Sequence, residues 1–165
     1  MALAPVITDL EQLKDRPELA RVLAQYPAAV EGAKLERDEL SIYLRPGSIR
    51  EVGALLRDHP ELQYNFLSDL TCVDWYPAEP RFEIVYHLLS IARRVRLRLK
   101  VKLGGDDPRV QSVTSVWPSA NFFEREVFDL FGIHFEDHPY LRRLLMPENW
   151  EGHPLRKDYP VEGYR

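Results

Sequence analysis

Residues 94–103 read RVRLRLKVKL, the clearest alternation in the chain. Apolar residues occupy the odd positions from 95 to 103, and arginine or lysine occupies every even position. Because successive side chains of a strand point to opposite faces, this pattern predicts a strand with one buried face and one cationic face. Such a strand needs neighbouring strands to pair with and a core on one side, so it makes a sheet the centre of the fold.

Shorter stretches before this strand predict its neighbours. Residues 81–90 and 69–75 read as strands, and residues 39–45 alternate until Pro46-Gly47 ends the pattern. The links between these strands are short, which favours an antiparallel or mixed sheet with helices on one face. The expected class is therefore α+β: a small sheet, helices packed on it, then a terminal helix and an extended C-terminal arm.

Helices are predicted from periodicity and from their end signals. Ser48 and Glu51 have the spacing of a capping box, and Asp107 with Pro108 resembles the start of a short helix. The predicted helices cover residues 9–26 with a restart at Pro17, residues 49–58, residues 108–116 and residues 120–131.

The bulk composition narrows the possible functions. The chain has 165 residues, 45% of them hydrophobic, and a net charge of −4, which suits one globular domain and disfavours a dedicated nucleic-acid binder. Cys72 is the only cysteine and lies within a predicted strand, so it is expected to be a buried hydrophobe. No apolar run approaches the roughly 20 residues of a membrane span, and the first residues lack a signal or transit pattern. We expect a soluble chain, or one peripheral to a membrane-bound assembly.

Two surfaces leave alternatives open. The cationic strand face could bind anions or nucleic acid, could abut an acidic protein, or could be solvated and paired with Glu79 or Glu83. A second group contains histidine, aspartate and glutamate, which are side chains that bind zinc or iron, as in a small metal-dependent hydrolase. However, no predicted helix would place these ligands together on one of its faces. These residues are His134, Glu136, Asp137, His138 and His153. The chain has no phosphate-binding glycine loop, so a flavin or nicotinamide site on it is not expected.

The predicted helix at 120–131 has more than one apolar surface. Its core face consists of Phe123, Val127, Leu130 and Phe131. Arg125 and Asp129 lie opposite this face, and Glu124 and Glu126 lie on its shoulders. Phe122 and Phe128 flank the core face, which suggests a second buried surface supplied by the arm or by a partner. We also expect an Arg142 or Arg143 guanidinium to pair with Glu124 or Glu126.

The chain divides into a domain at residues 1–145 and an arm at residues 146–165. Pro139, Pro147, Pro154 and Pro160 exclude a regular helix or a central strand from this region. We expect the arm to serve assembly more than folding, with Trp150, Leu155 and Tyr159 as anchors for a neighbour.

Two blocks of the sequence carry a family resemblance. Glu124-Arg125-Glu126-Val127-Phe128-Asp129-Leu130-Phe131-Gly132-Ile133, with His138-Pro139 and Leu141-Arg142-Arg143, resembles the C subunit of proton-pumping NADH:quinone oxidoreductase, the 30 kDa-subunit family of respiratory complex I. Gly152-His153-Pro154-Leu155-Arg156-Lys157-Asp158-Tyr159-Pro160 resembles the C-terminal block of that family. Many members continue beyond this block, so partner contacts of such an extension are not carried over to this sequence.

The resemblance implies a structural role in an electron-transfer complex. It implies a peripheral-arm subunit that supports NADH-to-quinone electron transfer and proton translocation and packs against the quinone-site D subunit. FMN, iron–sulfur clusters and quinone are expected on other subunits, with no cofactor, catalytic residue or nucleic acid on this chain. The implied location is the cytoplasmic face of the bacterial inner membrane, or the matrix or stroma face in an organelle, with membrane contact only through the complex. The related alternative is the equivalent subunit of a membrane-bound hydrogenase-type complex.

Interface or structural roles are implied for the matching residues. These are Glu124, Arg125, Glu126, Asp129, Phe131, Gly132, His138, Pro139, Arg142, Arg143, Trp150, His153, Pro154, Arg156, Asp158 and Tyr159.

Overall fold

The computed structural model describes residues 6–163 and shows the expected α+β class. The outer ends of the predicted domain and arm, residues 1–5 and 164–165, lie outside the described residues. The main sheet contains β1 (Val30–Glu36), β2 (Glu39–Leu44), β3 (Phe66–Asp74), β4 (Phe82–Ser90) and β5 (Val95–Leu103). The helices are α1 (Leu10–Leu13), α2 (Pro17–Gln25), α3 (Ile49–Asp58) and α4 (Ala120–Phe131). None of the helices in residues 6–163 has the length and apolar character needed to span a bilayer.

The main sheet is mixed, with strand order β1-β2-β5-β4-β3. β5 pairs antiparallel with β4 and parallel with β2, and α4 packs against the edge strand β3. β1 was not predicted from the sequence. A register shift between Val30 and Gly32 interrupts its alternation, so the period-2 signal is lost where the strand begins.

The alternation that predicted β5 is confirmed. From Leu97 to Leu103 its apolar side chains are buried. On the opposite face, Lys100 pairs with Glu83 at 2.7 Å and Arg98 pairs with Glu39. Acidic residues on the neighbouring strands β4 and β2 therefore neutralise part of the cationic face, and Glu83 was one of the partners expected.

The helix predicted after Pro108 is wrong. Arg109–Gln111 forms a short strand, β6, which pairs parallel with His134–Glu136, β7. Asp107 adopts a left-handed φ of 47° instead of the extended conformation of an N-cap residue, and its carboxylate accepts from Arg109 Nε at 2.7 Å. Its partner strand β7 follows α4 in the sequence, so no local pattern near residue 109 predicts the pairing.

The capping box at the start of α3 is also wrong, although the helix begins at Ile49 and ends at Asp58 as expected. Pro46–Ser48 forms a 3-10 turn that continues directly into α3. Ser48 lies at φ −114° and ψ −3° and makes no side-chain cap hydrogen bond. The preceding turn therefore holds Ser48 out of the extended conformation that a side-chain cap requires.

Candidate functional site

Residues 137–163, here called the C-terminal segment, fold back over α4. Among the described residues of this segment there is no helix or strand, and its path is a series of turns. Asp137 and His138 anchor its start, at Arg50 and at the Asn121 carbonyl, and its later residues contact the body of the protein at Asp129, at Arg125, at the C-terminal end of α4 and at Arg81. Most of the residues singled out from the sequence take part in these contacts.

Asp129 is fully buried, and its carboxylate accepts four hydrogen bonds from the C-terminal segment. Its Oδ2 accepts from the backbone N–H groups of Leu144 at 3.0 Å, Leu145 at 2.7 Å and Met146 at 2.8 Å. Its Oδ1 accepts from Arg143 Nη1 at 2.7 Å. Burial alone would raise the pKa of Asp129, but these donors hold that pKa below its ordinary value. The three consecutive N–H groups thus form an anion nest that the chain fills with its own carboxylate.

Two arginines fix the backbone of the segment. Arg143 Nη2 donates to the carbonyls of Trp150 at 2.9 Å and Gly152 at 3.1 Å. Arg125, which is buried on α4, donates to the carbonyls of Arg142 at 3.2 Å and of Arg143 at 3.1 Å. A guanidinium has five donors in a fixed plane, so each of these side chains can hold several carbonyls in one geometry.

The predicted pairing of Arg142 or Arg143 with Glu124 or Glu126 is wrong. Glu124 is buried and accepts instead from Ser112 Oγ at 2.6 Å and from the Val113 N–H at 2.7 Å, while Glu126 is exposed. Arg142 lies over the ring of Tyr140. The helical shoulder that carries Glu124 faces the loop after β6, so the carboxylate that meets the C-terminal segment is that of Asp129.

Glu124 has an unusual electrostatic environment. Burial raises its pKa to about 7, and the hydrogen bonds from Ser112 and Val113 oppose that rise. His138 Nε2 lies 3.9 Å from Glu124 Oε2. His138 Nδ1 accepts from the Tyr140 N–H, so Nε2 carries the proton and donates to the Asn121 carbonyl at 3.2 Å. Burial lowers the pKa of His138, which favours this neutral ring.

The C-terminal segment also caps α4. The last carbonyls of a helix have no partner within the helix and need donors from elsewhere. Imidazole and guanidinium groups suit this end of a helix because its dipole is negative there. The four contacts are His153 Nδ1 to Asp129 O at 2.9 Å, Arg143 Nη1 to the same oxygen at 3.3 Å, Leu155 N to Leu130 O at 3.0 Å, and Arg156 Nε to Phe131 O at 2.6 Å.

Gly132 makes this close approach possible. It ends α4 in the left-handed conformation, with φ 73°, which glycine adopts readily at a helix C-terminus. A Cβ at this position would lie 2.5 Å from His153 Nε2 and 2.7 Å from an Arg156 guanidinium nitrogen. Both the backbone conformation and the contact with the segment therefore require glycine.

An ion cluster built on the buried pair Arg81 and Asp74 holds the far part of the segment through the more exposed Asp158. Arg81 donates to both carboxylate oxygens of Asp74, at 2.9 and 2.8 Å, and to both of Asp158, at 3.0 and 2.7 Å. Asp74 also accepts from the backbone N–H groups of Lys157 and Tyr76. Burial opposes ionisation of Asp74, but these donors lower its pKa to about 2. Asp74 and Arg81 were not among the predicted site residues. Asp74 lies near the end of the predicted strand 69–75, and Arg81 begins the next predicted strand, 81–90.

The remaining predicted residues divide by burial. Within residues 6–163, no three His, Cys, Asp or Glu side chains stand close enough to hold a metal ion, and His134 and Glu136 are exposed on β7. Buried residues are Glu124, Arg125, Asp129 and Phe131. Partly buried residues are Gly132, His138, Arg143, His153, Pro154, Arg156 and Tyr159. Exposed residues are Glu126, Pro139, Arg142, Trp150 and Asp158.

Large apolar side chains remain exposed on the segment while its backbone is held firmly. Tyr140 is 52% exposed, Leu145 59%, Trp150 39% and Leu155 50%. Phe122 of α4 is 62% exposed, and the Arg125 guanidinium lies near both its ring and that of Tyr140. We call Phe122, Tyr140, Leu145 and Trp150 the exposed apolar set. Fixed apolar groups of this size in contact with water are typical of a surface that another protein covers.

Comparison with known proteins points to one family. Residues 42–165 match the family described as respiratory-chain NADH dehydrogenase, 30 Kd subunit. The NADH-quinone oxidoreductase C subunit of Roseiflexus castenholzii is 54% identical over 143 residues, covering 87% of this chain and 82% of the relative. The second C subunit of the same enzyme in Rhizobium meliloti is 44% identical over 152 residues, covering 92% and 83%.

Two solved structures are similar to this chain. A trypsin-resistant fragment of Nqo5 superposes with a TM-score of 0.60 at 35% identity, covering 75% of this chain and 99% of the fragment. A chain of the membrane-bound sulfane sulfur reductase, an archaeal respiratory membrane complex, gives a TM-score of 0.70 at 26% identity, covering 87% and 84%. The family match spans most of the chain and includes α4 and the C-terminal segment, and the chain therefore belongs to the 30 kDa subunit family of respiratory-chain NADH dehydrogenase, the C subunits of complex I.

Proposed function

We propose that this chain is a non-catalytic structural subunit of a proton-translocating NADH:quinone oxidoreductase and that it packs against the quinone-site D subunit. The observation that carries the proposal is the fixed presentation of the exposed apolar set. Asp129 and Arg143 hold the backbone of residues 143–152, so Leu145 and Trp150 face solvent in one defined position. A preorganised apolar surface loses little conformational entropy when a partner binds it.

The test compares two exposed sites on the same protein. The double variant Leu145→Ser/Trp150→Ser removes two apolar groups from the C-terminal segment. The control variant Ile91→Ser removes one from the turn after β4, where Ile91 is 59% exposed. Each tagged variant is expressed with the other subunits, and the D subunit that co-purifies is quantified. We expect the double variant to lose at least about tenfold in recovery, the effect of one or two interface anchors, while Ile91→Ser changes little. Equal recovery from both would contradict the proposed surface.

The proposal assigns no redox chemistry to this chain. Flavin, iron–sulfur clusters and quinone would belong to other subunits, and this chain would supply position and shape. The purified chain is then expected to show no visible absorption, no stoichiometric iron or zinc and no NADH oxidation. Stoichiometric flavin or metal that survives purification would overturn this part of the proposal.

The proposed location is the cytoplasmic face of the bacterial inner membrane, or the matrix or stroma face in an organelle. Contact with the membrane would occur only through other subunits. We expect the chain to fractionate with membranes when the complex is intact and to become soluble when the complex is dissociated. Retention of the isolated chain on protein-free vesicles would contradict this arrangement.

A second assembly is supported by a specific observation. The similarity to a chain of the membrane-bound sulfane sulfur reductase, with a TM-score of 0.70, shows that this fold also occurs in another respiratory membrane complex. The equivalent subunit of a related membrane-bound hydrogenase-type complex is therefore the alternative. Identification of the chains that co-purify at native abundance distinguishes the two, because a flavin-containing NADH-oxidising subunit is expected only in the first.

A further inference from the structure

The free edge of β3 carries unpaired backbone groups. Among the strands of residues 6–163, β3 is the last of the main sheet and pairs only with β4. The Trp75 N–H donates to the Arg81 carbonyl at 2.8 Å, which makes Asp74 a non-hydrogen-bonded position of the antiparallel ladder. Hydrogen-bonded and non-hydrogen-bonded positions alternate along the strand, and the register is unbroken between Cys72 and Asp74, so Cys72 is also a non-hydrogen-bonded position. The N–H and C=O groups of Cys72 and Asp74 therefore point away from β4, and no hydrogen bond from elsewhere in residues 6–163 reaches them.

Cys72, Val73 and Asp74 of this edge line an open cleft of about 480 Å³. Trp75 and Tyr76 line the cleft beyond the end of β3, and both are about half exposed. Phe131 and Leu155 line it from α4 and the C-terminal segment, and the exposed Lys157 completes the lining. The cleft therefore combines apolar side chains, a strand edge and one cation.

We propose that an extended segment of a partner subunit adds to β3 at Cys72–Asp74 as a further strand. An extended backbone presents donors and acceptors at the spacing of the two free positions, whereas a helix uses its own backbone groups internally. One apolar side chain of the segment would enter the cleft between Tyr76 and Leu155, and a neighbouring carboxylate would meet Lys157. The contact goes beyond the proposed function, because it uses a different surface from the exposed apolar set and does not depend on which complex the chain joins.

Amide hydrogen exchange tests the strand addition directly. The full chain alone is compared with the chain purified together with its native partners. We expect the amides of Cys72 and Asp74 to exchange at least about 100-fold more slowly in the complex, as for amides that gain a ladder hydrogen bond. The Val73 amide, which faces β4, is the internal reference and should be protected in both states. Unchanged exchange at Cys72 and Asp74 in the complex would overturn the proposal.

A photo-reactive residue at Tyr76 identifies the occupant, with the same residue at Ile91 as the control. The expected cross-link from Tyr76 joins an extended partner segment with alternating apolar residues and an acidic residue. A cross-link to a partner helix, or to a second copy of this chain, would refute it. Tyr76→Ser should weaken partner retention at least about tenfold relative to Ile91→Ser. Because these variants leave Leu145 and Trp150 intact, a failure here is distinguishable from a failure of the proposed function.

Discussion

Replacing Asp129 with asparagine tests whether one buried carboxylate holds the C-terminal segment. The substitution keeps the size of the side chain but leaves one acceptor oxygen where there were two. Whichever way the amide turns, its NH₂ group faces either Arg143 Nη1 or the three N–H groups of residues 144–146. Removing one partner of a buried ion pair costs about 3–5 kcal/mol. The Arg143 side chain is 17% exposed and keeps three backbone carbonyls as acceptors, those of residues 129, 150 and 152, so we expect a loss near 3 kcal/mol, the lower end of that range.

Urea and thermal unfolding measure the loss of stability, and limited trypsin digestion measures local opening of the segment. A loss of about 3 kcal/mol corresponds to a fall in melting temperature of roughly 6–12 °C for a domain of this size. Trypsin should also cleave the Asp129→Asn protein faster after Arg142 and Arg143, because the segment opens locally. Asp137→Asn is the matched control. Its carboxylate is 75% exposed and pairs with Arg50 at 3.0 Å, so its loss should cost under about 1 kcal/mol.

Equal stability and equal cleavage rates for Asp129→Asn and Asp137→Asn would contradict this role of the Asp129 carboxylate. That result would mean that the N–H groups of residues 144–146 find water or another acceptor at no cost. Loss of stability without faster cleavage after Arg142 and Arg143 would also contradict the assigned role, since the destabilisation would then arise elsewhere than in the segment.

Three further substitutions have defined outcomes. Gly132→Ala forces a Cβ towards His153 at a left-handed φ and should cost at least about 1–3 kcal/mol in urea unfolding, whereas Gly47→Ala, with nothing within 4 Å of its Cβ, should be nearly neutral. Because the pKa of Glu124 is raised to about 7 from an ordinary 4.5, its protonated form stabilises the fold fully below pH 4.5, and this contribution is lost as pH rises through 7. The free energy of unfolding of the wild type should therefore fall by about 3 kcal/mol across this range relative to that of Glu124→Gln. Because the pKa of Asp74 is lowered to about 2 from 3.8, its ionised form adds about 2 kcal/mol to the free energy of unfolding above pH 4. This contribution should be lost as pH falls towards 2, and Asp74→Asn should not show that loss.

The strands that could be predicted are those whose burial follows a local period. β5 buries alternate residues along its length from Leu97, so its sequence alone displays the pattern. β1 escapes because its register shifts at the start, and β6 escapes because its three residues pair with a strand that follows α4. A helical signal at Pro108 is local and weak, and the distant pairing overrides it.

The chemistry at α4 could be predicted only in part. A helical projection places Arg125 and Asp129 on one face, four residues apart, and this is where both lie. The projection cannot show that the face is covered, because the covering residues 141–156 have no periodicity. Their hydrogen bonds depend on which backbone N–H and C=O groups a turn leaves free, and composition does not determine that. Glu124 was therefore given a partner on the segment, whereas the structure gives it Ser112 and Val113.

The parallel junction between β2 and β5 has a consequence for the order of folding. The β1–β2 hairpin and the β3–β4–β5 meander close over short connections, whereas joining them requires the whole stretch between Leu44 and Val95 to be placed. Closing a longer loop costs more entropy before any contact repays it, so we expect the two halves to form early and to meet late. Ile84→Val, within the meander, should mainly slow folding, whereas Ile42→Val, which faces Leu99 across the junction, should mainly speed unfolding. Equal effects of both substitutions on the folding rate would mean that the sheet forms in a single step.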